Sequence, residues 1–150
     1  MDVVSISTRS RMMAGIKGKN TKPEMLIRRS LHRRGLRYRL HNTNLPGTPD
    51  LTCTKFRAVL FIHGCFWHGH DCKLFRWPST REEFWRKKIG GNRVRDARQI
   101  ALLLSKGWRV CIVWECAIRG ASVDVNHVCD SVVSWIRDIG TESVKYQVAG

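Results

Sequence analysis

The chain has 150 residues, 43% of them hydrophobic, and carries a formal net charge of +15. That length suits one ordinary domain, and the apolar fraction excludes disorder over most of it. No apolar run reaches the roughly 18 residues that a membrane-spanning helix needs, and the excess of Lys and Arg points to a polyanionic partner, most simply nucleic acid.

Residues 1–20 are basic and rich in Ser, Gly and Met, with no periodic apolar face. They read as a flexible arm ahead of a single domain over 21–150. The arm lacks a signal-peptide segment, so a cytoplasmic protein is expected. Thr21 and Pro23 predict a helix start, and Gly35 its end. A strand is expected to begin at Arg37–Leu40, followed by a turn in "NLPGTPD". Strands at Leu51–Thr54 and Ala58–His63 come next, and "AVLFI" suits a central buried strand. The Cys/His stretch "FIHGCFWHGHDC", residues 61–72, then interrupts regular structure.

Thr80-Arg81-Glu82-Glu83 is a capping-box pattern for a short helix ending near Gly90–Gly91. "NRVRDARQIALLLSKGW" predicts another helix, with Val94, Ala97, Ile100, Ala101 and Leu104 on its apolar face and a stop at Gly107. Trp108–Trp114 reads as a strand. Asp124–Ile139 reads as a helix with an apolar stripe of Val125, Val128, Val132, Trp135 and Ile136. The order α–β–β–β–α–α–β–α predicts a single α/β domain with a mixed central sheet flanked by helices.

Six cysteines in a reducing compartment argue against a disulfide framework. Cys53, Cys111 and Cys129 sit in apolar settings and suit small buried hydrophobes. Cys65, His70 and Cys72 lie close enough along one loop to share a metal ion. Cys116, at the end of a strand, is the best candidate for a fourth ligand. This is not a standard finger spacing, and four scattered core thiols and surface imidazoles would look the same. A closed four-ligand site would leave His63 and His68 free.

Cutting a phosphodiester usually takes carboxylates that hold Mg²⁺ and a base that activates water. Asp50 starts a strand straight after a Pro-Gly-Thr-Pro turn and can project into a cleft, although a turn-capping role is the better local reading of an isolated Asp. Glu24 completes a capping box with Thr21, which is the better local reading. Asp96 lies among arginines, where an ion pair is the default. His68 suits a general base or an ordinary surface imidazole. Phe66 and Trp67 suit packing beneath the Cys/His loop.

"LPGTPD", "FIHGCFWHGHDC", "FWRKKIGGNRVRD" and "LLSKGWRVCIVWECAIRG", in that order, resemble the very short patch repair endonuclease family from about Arg9 to Gly120. The resemblance implies a type II restriction endonuclease-like core with a structural zinc. It implies Mg²⁺-dependent nicking of one strand of double-stranded DNA, 5′ of the T in a T:G mismatch left by deamination of 5-methylcytosine. Asp50 and the main-chain carbonyl of Ile62 would contact the magnesium. His68 would activate water with Asp96, and His63 and Glu24 would complete the active site. Cys65, His70, Cys72 and Cys116 would bind zinc. Phe66 and Trp67 would enter the base stack, with Met13 and Ile16 of the arm wedging from the other groove. A monomer at the nucleoid is expected, with mismatch-repair helper proteins as candidate partners and no membrane association. A restriction or structure-selective endonuclease, or a zinc-stabilised DNA-binding protein without activity, are the alternatives.

Overall fold

The computed structural model describes residues 19–120, 122–140 and 144–150. Helix α1 is Lys22–Arg33, followed by strands β1 (Arg39–Leu40), β2 (Leu51–Cys53) and β3 (Ala58–His63). Helix α2 (Glu82–Ser105) leads to β4 (Arg109–Trp114), and helix α3 (Val125–Arg137) leads to β5 (Lys145–Val148). The strands form one five-stranded sheet in the order β1-β2-β3-β4-β5. β1, β2 and β3 pair antiparallel, whereas β3, β4 and β5 pair parallel. The domain is therefore the mixed α/β fold expected. No helix among the described residues is long and apolar enough to cross a membrane.

Apart from His63 and Arg109, β3 and β4 are apolar, because helices cover both sheet faces. Side chains alternate along each strand. Ala58, Leu60, Cys111 and Val113 join Ile27, Leu31, Cys129, Val132 and Ile136 in a core beneath α1 and α3. Val59, Phe61, Val110, Ile112 and Trp114 face the other way, toward Ile100 and Leu103 of α2. This parity places His63, at the end of β3, on the α2 side. Cys53, Cys111 and Cys129 are fully buried, as expected, and burial pushes the Cys53 thiol up to about 11.

Several expected elements change. The two helices predicted on either side of Gly90–Gly91 are one continuous helix, α2. Trp85, Ile89, Ile100 and Leu103 are its buried residues and anchor both halves on the same side. That shared anchorage outweighs the roughly 1 kcal/mol that each interior glycine costs relative to alanine. The expected face was also displaced: Ile100 is buried, but Val94 is 60% exposed, and Ala97 and Ala101 are exposed too. Thr80 does not open the helix; the N-cap is Arg81, left-handed at φ 53° and without a side-chain capping bond. β5 was not foreseen, because "KYQV" mixes polar and apolar residues at an edge where burial is slight. α3 matches its predicted stripe, with Val125 only partly buried, and Asp124 caps it by accepting from the His127 N–H at 3.1 Å.

A Cβ built on the exposed Gly91 meets nothing within 4 Å. Gly91→Ala is accordingly expected to stabilise the domain by about 0.5–1 kcal/mol, which raises Tm by a few degrees, roughly 1–4 °C. Thermal unfolding followed by circular dichroism checks this; an unchanged or lowered Tm contradicts it.

Candidate active site and metal centre

β3 and β4 run in parallel register, with His63 opposite Trp114. Two residues beyond that pair, Cys65 and Cys116 leave the ends of adjacent strands side by side. The 61–72 loop then turns back on itself, and the His70 N–H donates to the Cys65 carbonyl at 2.9 Å. His70 stacks on Trp114 with ring centroids 4.1 Å apart. Its Nδ1 comes within 3.6 Å of Cys116 Sγ. One ligand atom each from Cys65, His70, Cys72 and Cys116 falls within 4.8 Å of all the others. Burial and the neighbouring thiols push the Cys65 thiol upward. Three sulfurs and one imidazole this close together form a donor set that suits a soft tetrahedral cation.

The same loop delivers His68. Its Nδ1 lies 2.5 Å from Oδ2 of Asp96 on α2. Its ring stacks on His63 with centroids 3.8 Å apart and planes 2° from parallel. His63 is buried, and its Nδ1 finds no partner among the described residues. Burial first, and the nearby His68 second, lower the His63 imidazole to about 3. His63 therefore stays neutral across the physiological range. Asn92 of α2 donates to the Trp67 carbonyl at 2.9 Å and ties the loop down.

Asp50 stands just before β2, where the Ile62 N–H donates to its Oδ2 at 2.8 Å. Burial first, and the nearby Glu24 carboxylate as well, push its carboxyl up to about 6 against the lowering effect of that bond. Glu24 is 2% exposed. Its capping role is altered: its N–H donates to Thr21 Oγ1 at 3.3 Å, but its carboxylate accepts from the Asn20 N–H at 3.0 Å. The carboxylate also meets Arg28 at 2.8 Å and His41 Nε2 at 2.9 Å. Ligand atoms of Glu24, His41 and Asp50 cluster within 4.8 Å.

These groups open onto one cleft of about 550 Å³, lined by His41, Asp50, Ile62, His63, His68 and Asp96 among others. Asp50, His63, His68, Asp96 and Ile62 thus come together, and Glu24 stands behind them through His41. Sequence reasoning missed His41 and Gln99. His41 could have been found by pairing β1 with β2, because its N–H donates to the Asp50 carbonyl at 3.1 Å. Gln99 lies one helical turn beyond Asp96 and lines the same cleft.

Phe66 and Trp67 are half-buried rather than pushed fully outward. Phe66 packs edge-on against Trp85 at 5.4 Å, and Trp67 lies 5.9 Å from the same ring. Trp85 anchors them as one aromatic cluster. Met13 and Ile16 lie outside the described residues.

The family model for "DNA mismatch endonuclease Vsr" matches residues 1–74. The chain is 49% identical over 119 residues to the DNA mismatch endonuclease Vsr of Escherichia coli (strain K12), covering 79% of this chain and 76% of that protein. It is 47% identical over 117 residues to the type II nicking enzyme V.XorIIP of Xanthomonas oryzae pv. oryzae, covering 78% and 86%. A third relative, the type II nicking enzyme V.NmeAIP of Neisseria meningitidis, is 39% identical over 122 residues, covering 81% and 87%. With identities this high over most of both chains, the protein belongs to the Vsr DNA mismatch endonuclease family.

Proposed function

We propose that this protein is a Mg²⁺-dependent endonuclease, built on a type II restriction endonuclease-like core, that nicks one strand of duplex DNA 5′ of the T in a T:G mismatch. The observation that carries this is the meeting of Asp50, His63, His68 and Asp96 in one cleft of a strongly basic protein. A purely binding, zinc-stabilised protein has no use for a carboxylate-oriented imidazole in the same cleft as the Asp50 carboxyl. The relatives' printed names, which include mismatch endonuclease and nicking enzyme, agree with catalysis.

The residues assign the work. Asp96, accepting at 2.5 Å, holds a proton on His68 Nδ1 and leaves Nε2 as the acceptor for a proton from water. The stacked His63 fixes the plane of that ring. Because His63 remains neutral, it adds no charge beside the imidazolium that forms. Asp50 fits a hard divalent cation: its carboxyl is half-buried and clustered with the Glu24 carboxylate and His41. Asp50 would hold Mg²⁺, with the Ile62 carbonyl assigned as its main-chain contact. When bound, the ion polarises the phosphate and offsets developing negative charge. Cys65, His70, Cys72 and Cys116 would hold Zn²⁺ and fix the loop that carries His68. Phe66 and Trp67, with Met13 and Ile16 of the arm, would part the base step at the mismatch, where a wobble pair unstacks more cheaply.

Two experiments follow. End-labelled duplexes differing only in one T:G, T:A or C:G pair are incubated with protein, with and without Mg²⁺. Nicking is expected on T:G alone and only with the metal; equal cutting of all three rejects mismatch specificity. The second concerns pH. Since the Asp50 carboxyl lies near 6 in the metal-free protein, it is charged above that pH and protonated below it. Protons then compete with the cation, so the Mg²⁺ concentration giving half-maximal nicking should rise as pH falls through about 6. A metal requirement that stays flat between pH 5 and pH 8, a window of the kind used for such profiles, contradicts the assignment.

A further inference from the structure

His68 lies at the junction of two clefts. One holds Asp50, His63 and Asp96. The other, of about 860 Å³, runs from His68 past Phe75, Arg76 and Trp77 on one side and Arg86 and Arg93 of α2 on the other. None of these five residues takes part in the reaction described above. We propose that this second cleft binds the cut strand as it leaves the reaction site, with Arg76 and Arg93 on phosphates and the exposed part of the Trp77 ring against a base. The proposal rests on the DNA-nicking reading and names the side of the site on which the strand is held.

The first argument is continuity. A phosphodiester presented to His68 belongs to a polymer, and its neighbouring nucleotides must leave the reaction cleft. The second cleft starts at the same imidazole and offers about 860 Å³. The second argument is charge. Arg76, Arg86 and Arg93 outnumber Asp71 along its walls, and neither Arg76 nor Arg93 forms an ion pair among the described residues. Phosphate oxygens suit such guanidinium groups.

The third argument is the ring. Trp77 is 41% exposed. Arg86 covers one of its faces at 4.5 Å and is itself held by Glu82 at 2.8 Å. Phe75 also meets this ring at right angles, with centroids 4.9 Å apart, so the tryptophan is held on two sides and its exposed part forms a fixed surface for a base. The loop geometry serves the same end. Gly69 is left-handed at φ +61°, and a Cβ there would lie 2.7 Å from Ile89 and 3.0 Å from Cδ of Arg93. The absent side chain lets the loop close onto α2 and lays the Arg93 stem against Gly69.

The test uses T:G duplexes whose T strand is shortened, on one side of the cut or the other, from about ten flanking nucleotides to about two, because each nucleotide removed takes away one phosphate. Wild-type protein and the Arg76→Ala/Trp77→Ala double variant are compared by Kd without divalent metal and by nicking with Mg²⁺. Both replaced side chains are exposed, and a matching thermal unfolding curve confirms that the variant is folded. Shortening one particular side should weaken wild-type binding about tenfold, and the double variant should already be about tenfold weaker on the long duplex. Shortening that side should then cost the variant nothing further, and the nicking defect should appear in KM. If the variant binds the long duplex as tightly as wild type, or loses as much on shortening, the proposal is overturned. Length-dependent binding without nicking at T:G would overturn the catalytic reading and leave this one standing.

Discussion

His68→Ala is expected to lower single-turnover nicking of a T:G duplex by roughly 10²–10⁴-fold, the usual contribution of a positioned general base. Duplex affinity should be nearly unchanged, since it comes from basic groups spread over a chain of net charge +15. The imidazole has no packing duty that alanine would badly disturb: it is 24% exposed and held by its bond to Asp96 and its stack on His63. Asp96→Asn should fall between the variant and wild type. An amide still accepts from Nδ1, but it no longer stabilises the imidazolium. Nicking and gel-shift affinity measured on the same duplex separate chemistry from binding. Wild-type-like nicking by His68→Ala would remove His68 from the reaction.

The second large effect concerns the metal centre. Protein purified without added metal is expected to contain one zinc per chain, and Cys72→Ser or Cys116→Ser should lose it. Without the ion, nothing links Cys65, His70 and Cys72 of the loop to Cys116 at the end of β4. A structural zinc contributes directly to folding. Its loss should cost on the order of 3–5 kcal/mol and lower Tm by about 10 °C or more. Cys111→Ala serves as the control: its sulfur is fully buried in the core beneath α1 and α3, away from the cluster, so that variant should keep its zinc. Full zinc content in Cys116→Ser would show that another residue is the fourth ligand.

Much of this site was readable locally, for a physical reason. Cys65, His68, His70 and Cys72 fall within one loop, so their proximity follows from chain connectivity alone. Cys116 depended on strand order. It joins the others only because β3 and β4 are parallel neighbours in register, with His63 opposite Trp114. The β2–β3 hairpin was legible because its apolar residues are dense and the Pro-Gly-Thr-Pro turn marks where β2 begins. The continuity of α2 was not legible. Gly90–Gly91 carries the local signal of a helix end, and only tertiary anchorage by Trp85, Ile89, Ile100 and Leu103 overrides it. The Glu24–His41–Asp50 cluster was hidden for a similar reason, since it joins a helix, a strand end and a turn that nothing local connects. The local reading of Phe66 and Trp67 as packing residues holds in part, but their partner was not legible, because Trp85, eighteen residues beyond Trp67, carries no local sign that it packs against them.

The central claim is that this cleft breaks one strand at a T:G pair. The most direct measurement maps the cut at nucleotide resolution, with either strand of a T:G duplex end-labelled and wild-type protein run beside Asp50→Asn. The account predicts a single Mg²⁺-dependent break 5′ of the mismatched T, an intact G strand, and no break with Asp50→Asn, whose amide is a poor magnesium ligand. Breaks in both strands, a break at the same place in a T:A duplex, or undiminished cutting by Asp50→Asn would contradict it.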